Sequence, residues 1–274
     1  MTSRLHSALF VLLLLVILSV SASRPALAGL GGLDEAALLE ATPEAHREAM
    51  DFLLRHMPDR DRGKLDAAFL LEHVAARVEA RERAPWGDAL PEELFLNDVL
   101  PYAVASETRE PLTAEFIELC RRITADAADP GAAALALNRE LFSATGVRYG
   151  TQRRRPDQSV GETMEQGVAS CTGLSVMLVQ ACRAVAVPAR IAGVASWADD
   201  RGNHTWVEVF DGRRWRFVGA AEPDAKGFDH AWFTGDAARA VPGHPRYAVM
   251  ASSWAATDRH FPMVWAPGDR SVPG

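Results

Sequence analysis

Two side chains with acyl-transfer chemistry stand in order along the chain: Cys171 and His204. Cys171 lies in Gly167-Val-Ala-Ser-Cys-Thr-Gly-Leu-Ser-Val-Met-Leu-Val-Gln-Ala-Cys-Arg183, with small, turn-forming residues before it and apolar periodicity after it. Leu174, Met177, Leu178, Ala181, Cys182 and Val185 recur at spacings of three and four, which predicts a buried helix opened by Cys171. Unpaired N–H groups and the positive end of the helix dipole meet at such a position. They favour the thiolate, the nucleophilic form of the side chain. Read without its neighbours, Cys171 is a small buried hydrophobe, as most free cysteines are.

The neighbours change that reading. Val187-Pro-Ala-Arg-Ile-Ala-Gly-Val194 is a short apolar run after a proline and reads as a strand. Asn203-His-Thr-Trp-Val-Glu-Val-Phe210 and Trp215-Arg-Phe-Val218 alternate apolar and polar residues around Asp211-Gly212, a hairpin signal. A histidine heading a strand can face a helix-borne cysteine across a cleft, which is a thiol-nucleophile layout. The hairpin has two registers. A two-residue turn at Asp211-Gly212 sets His204 opposite Gly219. A four-residue loop, Asp211 to Arg214, sets it opposite Ala221, next to Glu222.

Taken together, Ser170-Cys171 with Leu174-Ser175, then Cys182-Arg-Ala-Val-Ala-Val-Pro-Ala-Arg190, then His204-Thr-Trp-Val-Glu-Val-Phe210 with Trp215, resemble the transglutaminase-like superfamily. The resemblance covers roughly Ala132 to Pro223. It implies a cysteine opening a helix, an R-x-x-G-[IV]-P-[AV]-R turn and an H-[AT]-W-[VT]-E-V strand, with Cys171 and His204 as the catalytic pair. Ala186 stands where the family usually has glycine. The family's third residue, an aspartate four positions past the tryptophan, falls on Gly219, which has no side chain. Glu222 is the favoured replacement, one methylene longer than aspartate, and Asp224 is second. A site of cysteine and histidine alone is the third arrangement, and a solvated turn is the plain reading of Glu222-Pro-Asp224.

The elements that must position these residues come earlier. Residues 1–28 read as a signal peptide: Arg4 and His6 precede the apolar run Ala8–Val20, and Ala26-Leu-Ala28 has the small-x-small form of a cleavage site. The run is shorter than the roughly 20 residues a membrane span needs. The chain then reads as exported, periplasmic or extracellular, with no membrane contact after cleavage; an uncleaved anchor is the alternative. The formal charge is −7, and losing Arg4 and Arg24 with the signal leaves −9. So acidic a chain is a poor nucleic-acid partner.

Residues 29–130 read as a helical N-terminal region, with helices from Thr42-Pro43-Glu44, over Lys64–Arg83, over Leu94–Val99 and over Thr113–Ile123. Residues 131–266 read as the core, with a helix over Ala132–Phe142 and strands at Val147–Tyr149, Tyr247–Ser253 and Met263–Trp265. Residues 267–274, rich in glycine, proline and charge, read as a disordered tail. The fold class is α+β: helices packed on one side of an antiparallel sheet. The resemblance implies a transglutaminase/papain-like core with an N-terminal helical extension.

Several further residues are candidates. Asn97 or Tyr102 could donate to an oxyanion, although packing is the plainer reading. Gln152 and Gln158 are amide donors ahead of the cysteine. Arg153, Arg154 and Arg155 could bind an acidic group or sit in a solvated loop. His230 is a rival base without strand context, and Trp232 and Phe233 wall the cleft or fill the core. Cys120 and Cys182 are reduced core residues, or a disulfide if Cys171 is the free thiol of the odd three. No metal is expected, because no pair of histidines or cysteines has short ligand spacing. No cofactor is expected either, since no phosphate loop or nucleotide fingerprint occurs. Nothing specifies an oligomeric state.

The expected activity is that of a cysteine enzyme on peptide or carboxamide bonds, with a protein or peptide substrate. Cys171 would form a thioester that water or an amine resolves, giving hydrolysis or transamidation. An inactive domain binding peptide or a partner protein in the cell envelope is the alternative, and a structural envelope role is the third class.

Overall fold

Six helices begin at a side-chain cap, so most of their boundaries are set by single polar residues. In the computed structural model, which describes residues 33–274, Asp34 caps α1 (Glu35–Ala41), Asp66 caps α4 (Ala67–Arg83) and Thr113 caps α6 (Ala114–Ile123). Asp129 caps α7 (Pro130–Thr145), Ser159 caps α8 (Val160–Gln166) and Ser170 caps α9 (Cys171–Ala184). Each cap side chain accepts an N–H that the helix itself leaves unpaired. Between α1 and α4 lie α2 (Arg47–His56) and α3 (Asp59–Arg62), and α5 (Glu92–Leu94) runs into a π turn at Phe95–Val99. The signal-peptide reading falls on residues outside those described.

Strands β3 (Ala189–Val194), β4 (His204–Phe210), β5 (Trp215–Val218) and β6 (Met250–Ala251) form an antiparallel sheet in the order β5-β4-β3-β6. Strands β1 (Arg148–Tyr149) and β2 (Val168–Ala169) pair in parallel just before Cys171. A short α10 (Thr234–Ala237) follows the hairpin. The hairpin takes the four-residue loop, with Phe210 opposite Trp215. Asp211 closes it: its carboxylate accepts the N–H groups of Arg213 and Arg214, both at 2.9 Å, and Gly212 supplies φ 97°.

Alternation along β3 and β4 sorts the side chains by face. Ile191, Val207 and Val209 enter the main core with α6, α7 and α9, while Ala192, Val194 and Trp206 face a separate aromatic cluster with Trp197 and Phe233. This is a mixed helix and antiparallel-sheet fold with a helical N-terminal region, as the α+β reading expects. Phe116 and Cys120 of α6 lie in the main core, so packing joins this helix to the core rather than to the residues before 131. A second cluster unites α1, α2 and α4 with residues 90–103, Ala186 and Trp254.

Arg183, in the last turn of α9, ties that second layer to the first. Buried, it donates to the carbonyls of Asp98 (3.0 Å), Ala189 (3.2 Å), Pro101 (3.2 Å) and Ala103 (2.7 Å). Gln180, one turn earlier, accepts from Arg77 at 2.7 Å and donates to the Tyr102 carbonyl at 2.9 Å.

Two expectations fail. Residues 267–274 are not a disordered tail: Val272 is buried in the main core, its carbonyl accepts from Phe261 N at 2.9 Å, and Asp269 pairs with Arg60 at 2.8 Å. The single apolar residue and the paired backbone outweigh the loop-like composition. Met263–Trp265 forms a turn rather than a strand, closed by Ala266 N on the Met263 carbonyl at 3.0 Å.

Replacing Arg183 with methionine keeps the bulk but leaves buried carbonyls unpaired. It should lower the stability to urea by about 3 kcal/mol without changing the denaturant slope; an unchanged midpoint would contradict this role.

Candidate active site

Ser170 fixes where α9 starts. Its hydroxyl accepts from Gly173 N and donates to the Pro156 carbonyl at 2.6 Å, anchoring the helix to the preceding loop. Cys171 is therefore the first helical residue, half-buried and not in a disulfide. It meets the end of α9 where N–H groups lack helical partners. One residue on, Thr172 Oγ1 lies 3.2 Å from Thr205 Oγ1, which ties the first turn of α9 to the head of β4.

His204 heads β4 opposite Val194. Its ring sits among aromatic rings, with Trp232 and Phe233 at 4.8 Å between centroids, Trp197 at 6.0 Å and Trp206 at 6.1 Å. This burial alone holds the imidazole down to about 4, with no carboxylate among the described residues acting on it. Nε2 is buried with no hydrogen-bond partner among the described residues. The ring is thus neutral at pH 7 and free to accept or release a proton.

Glu222 reaches the site by an indirect path. After Val218 the chain turns back on itself, with Glu222 N donating to the Gly219 carbonyl at 3.1 Å and Ala221 at φ 63°. That left-handed conformation costs an alanine on the order of 1 kcal/mol. Asn138 of α7 holds the turn, donating from Nδ2 to the Gly219 carbonyl and accepting at Oδ1 from Ala221 N, both at 2.9 Å. A Cβ built at Gly219 would collide with Glu222 Oε2, so the carboxylate fills the room that a side chain at 219 would take. Its hydrogen bond, however, goes to Trp232 Nε1 at 2.9 Å and not to His204. Glu222 is solvent-exposed, yet desolvation by its neighbours raises the carboxyl, and the indole N–H opposes that rise.

Cys171, His204, Glu222, Trp232, Tyr149 and Asn203 line one cavity of about 300 Å³. The structure therefore brings the three expected residues together, although the orienting bond from Glu222 to the imidazole is not made. Asp224 is exposed, and its carboxylate accepts from Lys226 N at 2.8 Å.

Other candidates are held elsewhere. Asn97 Oδ1 accepts from Trp254 N and Ala255 N, and Tyr102 donates to Asp61 at 2.9 Å. Gln158 Nε2 is committed to Glu162 O, Gln166 Oε1 and Val168 O, and the Gln152 carbonyl accepts from Gln166. Arg154 pairs with Glu165, Arg155 with Asp157, and Arg153 donates to the Thr151 carbonyl. His230 is exposed outside the cavity, and Phe233 is fully buried. Cys120 and Cys182 are unpaired and buried, and burial pushes the Cys120 thiol up to about 12. Among the described residues no group of three or more His, Cys, Asp or Glu side chains could hold a metal ion.

Sequence reasoning passed over Tyr149, Asn203 and Asn138. Asn138 carried a signal, as the one amide inside the apolar helix Pro130-Gly-Ala-Ala-Ala-Leu-Ala-Leu-Asn138.

Residues 117–220 match the model of the transglutaminase-like superfamily. The match contains Cys171 and His204 and ends before Glu222. No curated protein matches the chain. Among solved structures, a "putative cysteine protease" from Cytophaga hutchinsonii is 18% identical over 58% of this chain and 56% of that one, with a TM-score of 0.34. The likeness thus spans little more than half of either protein.

The burial of His204 has a consequence for stability. Folded His204 stays neutral to about pH 4, whereas an unfolded histidine protonates near 6.5. Between these values the unfolded chain binds more protons, so stability falls as pH drops from about 6.5 to about 4. Buried His73, held down to about 3, adds a loss of the same sign. His204→Asn should remove its share: the stability lost between pH 7 and pH 4.5, measured by urea unfolding, should shrink by on the order of 2 kcal/mol. An equal loss in both proteins would refute the neutral, buried ring.

Proposed function

We propose that this chain, which carries a transglutaminase-like superfamily domain over residues 117–220, is a cysteine enzyme that cleaves or transfers acyl groups at peptide or carboxamide bonds. The observation that carries the reading is the placement of Cys171 at the first position of α9 and of a neutral, unpartnered His204 on the wall of the same cavity. His204 takes the Sγ proton as Cys171 attacks the carbonyl carbon. The resulting oxyanion is met by the Cys171 N–H, with Tyr149 and Asn203 as the side-chain donors on the cavity wall. The imidazolium then protonates the leaving amine, and a thioester remains. Water resolves it as hydrolysis, or a second amine as transamidation. Glu222 serves as the third residue from the mouth of the cavity, through its bond to Trp232. Residues 1–28 are proposed as an export signal, to be checked by N-terminal sequencing of protein recovered outside the cytoplasm.

A second reading is favoured by one observation: among the described residues no carboxylate contacts His204, which suits a domain that binds peptide without cleaving it. Alkylation of Cys171 by iodoacetamide separates the two. The labelling rate of the enzyme should hold nearly level from pH 8 to pH 5, because His204 stays a competent base. In His204→Ala it should fall about tenfold per pH unit, as for a free thiol. Identical profiles for the two proteins would sink the enzymatic reading and leave the binding domain.

A further inference from the structure

The third residue of the site sits on a turn that its own sequence disfavours. Ala221 takes φ 63°, where an alanine is strained, and the one glycine of Gly219-Ala-Ala-Glu222 stands two positions before it. The geometry points to Asn138 as a positioning residue: by bridging Gly219 and Ala221 it holds the turn from which Glu222 pins the Trp232 indole over His204. This assignment rests on the reading of Cys171 and His204 as the reactive pair, but its structural content can be measured without catalysis.

The chain of contacts is continuous. Asn138 is buried on α7, a long helix packed against α9, so its amide is a fixed point. Its two hydrogen bonds of 2.9 Å satisfy the Ala221 N–H and add a second donor to the Gly219 carbonyl, which also accepts from Glu222 N. The turn sends the Glu222 carboxylate back over Gly219, where absence of a Cβ leaves space for it. Glu222 then accepts from Trp232 Nε1. Trp232 is 61% exposed and stands 4.8 Å from His204; besides its edge-on contacts with Phe233 (5.6 Å) and Trp197 (6.4 Å), the bond to Glu222 is the polar contact that fixes its ring.

What this arrangement controls is the hydration of the imidazole. The titratable groups facing His204 are Cys171 from α9, Tyr149 from β1 and Glu222 from the turn; Trp197, Trp206 and Phe233 present only aromatic surface from the other elements. With burial as the force that holds His204 neutral, release of Trp232 lets water reach the ring and moves its titration toward that of a free histidine.

The test is the titration of His204, followed by NMR through its ring protons, together with the Trp232 indole resonance, identified by its loss in Trp232→Phe. Both are read in the wild type, Asn138→Ala and the nearly isosteric Asn138→Asp, which keeps an acceptor for Ala221 N but cannot donate to Gly219 O. In folded Asn138→Ala, the His204 midpoint should rise by about one to two pH units, and the indole resonance should shift as it does in Glu222→Gln. Asn138→Asp should do the same, and it decides the matter if Asn138→Ala does not fold. Labelling of Cys171 should follow, its acid limb moving up with the His204 midpoint. An altered His204 titration with labelling indifferent to His204 throughout would uphold the positioning role and sink only the enzymatic reading. A folded variant in which the midpoint and the indole resonance stay in place would overturn the assignment, since a residue that merely adds stability moves neither.

Discussion

A helix whose body is buried but whose first residue must meet solvent is the constraint on which this molecule is built. From Thr172 to Ala184 every residue of α9 is buried, yet Cys171 is half-exposed. Burial on all sides requires layers around it: α6, α7 and α8, the sheet, and the N-terminal helices near its far end. Exposure at the start requires those layers to stop short together. The small cavity beside Cys171 is the gap they leave, and Ser170 sets the point at which the helix emerges.

The two ends of α9 solve opposite problems. At the start, donors are in excess, because the first N–H groups of any helix lack partners; this suits developing negative charge. At the end, acceptors are in excess, and the backbone N–H groups of Val185, Ala186 and Val187 meet the carbonyls of Cys182 and Arg183, while the Arg183 side chain reaches out to four carbonyls of two other segments, residues 98–103 and Ala189. A guanidinium does this with one planar group, which a lysine cannot. The Arg190–Glu208 pair across β3 and β4, with Arg190 stacked 3.9 Å from the Trp215 ring, stiffens the same sheet from its outer side. Several residues that carried the family resemblance are thus architectural rather than chemical.

Local signals in the sequence were readable where structure is local. Cys171 at a helix start, His204 at a strand head and the Asp211 loop each depend on residues within a few positions of one another. The α8 helix was equally local, announced by the reciprocal Ser159 and Glu162 cap, and was missed because the surrounding composition is polar. The Glu222 placement could be anticipated only as far as the hairpin register allowed. Its bond to Trp232 and its dependence on Asn138, 83 residues before Ala221, arise from tertiary contacts that leave no periodic trace. The tail was misread for a related reason: one valine, unremarkable in composition, finds a core site provided by distant segments.

Ala186 shows what the N-terminal layer does to the motif beneath it. At φ 55° it occupies a left-handed position, which suits the glycine usual there in the family. Yet its methyl is buried in the N-terminal cluster, and its carbonyl accepts from Trp86 Nε1 at 2.9 Å. The turn is an internal joint. Excising residues 117–220 as a minimal module would therefore cut through that joint, stripping Ala186 of its cover and Arg183 of three of its four acceptors. The smallest autonomous unit of this protein is larger than the segment by which it is recognised.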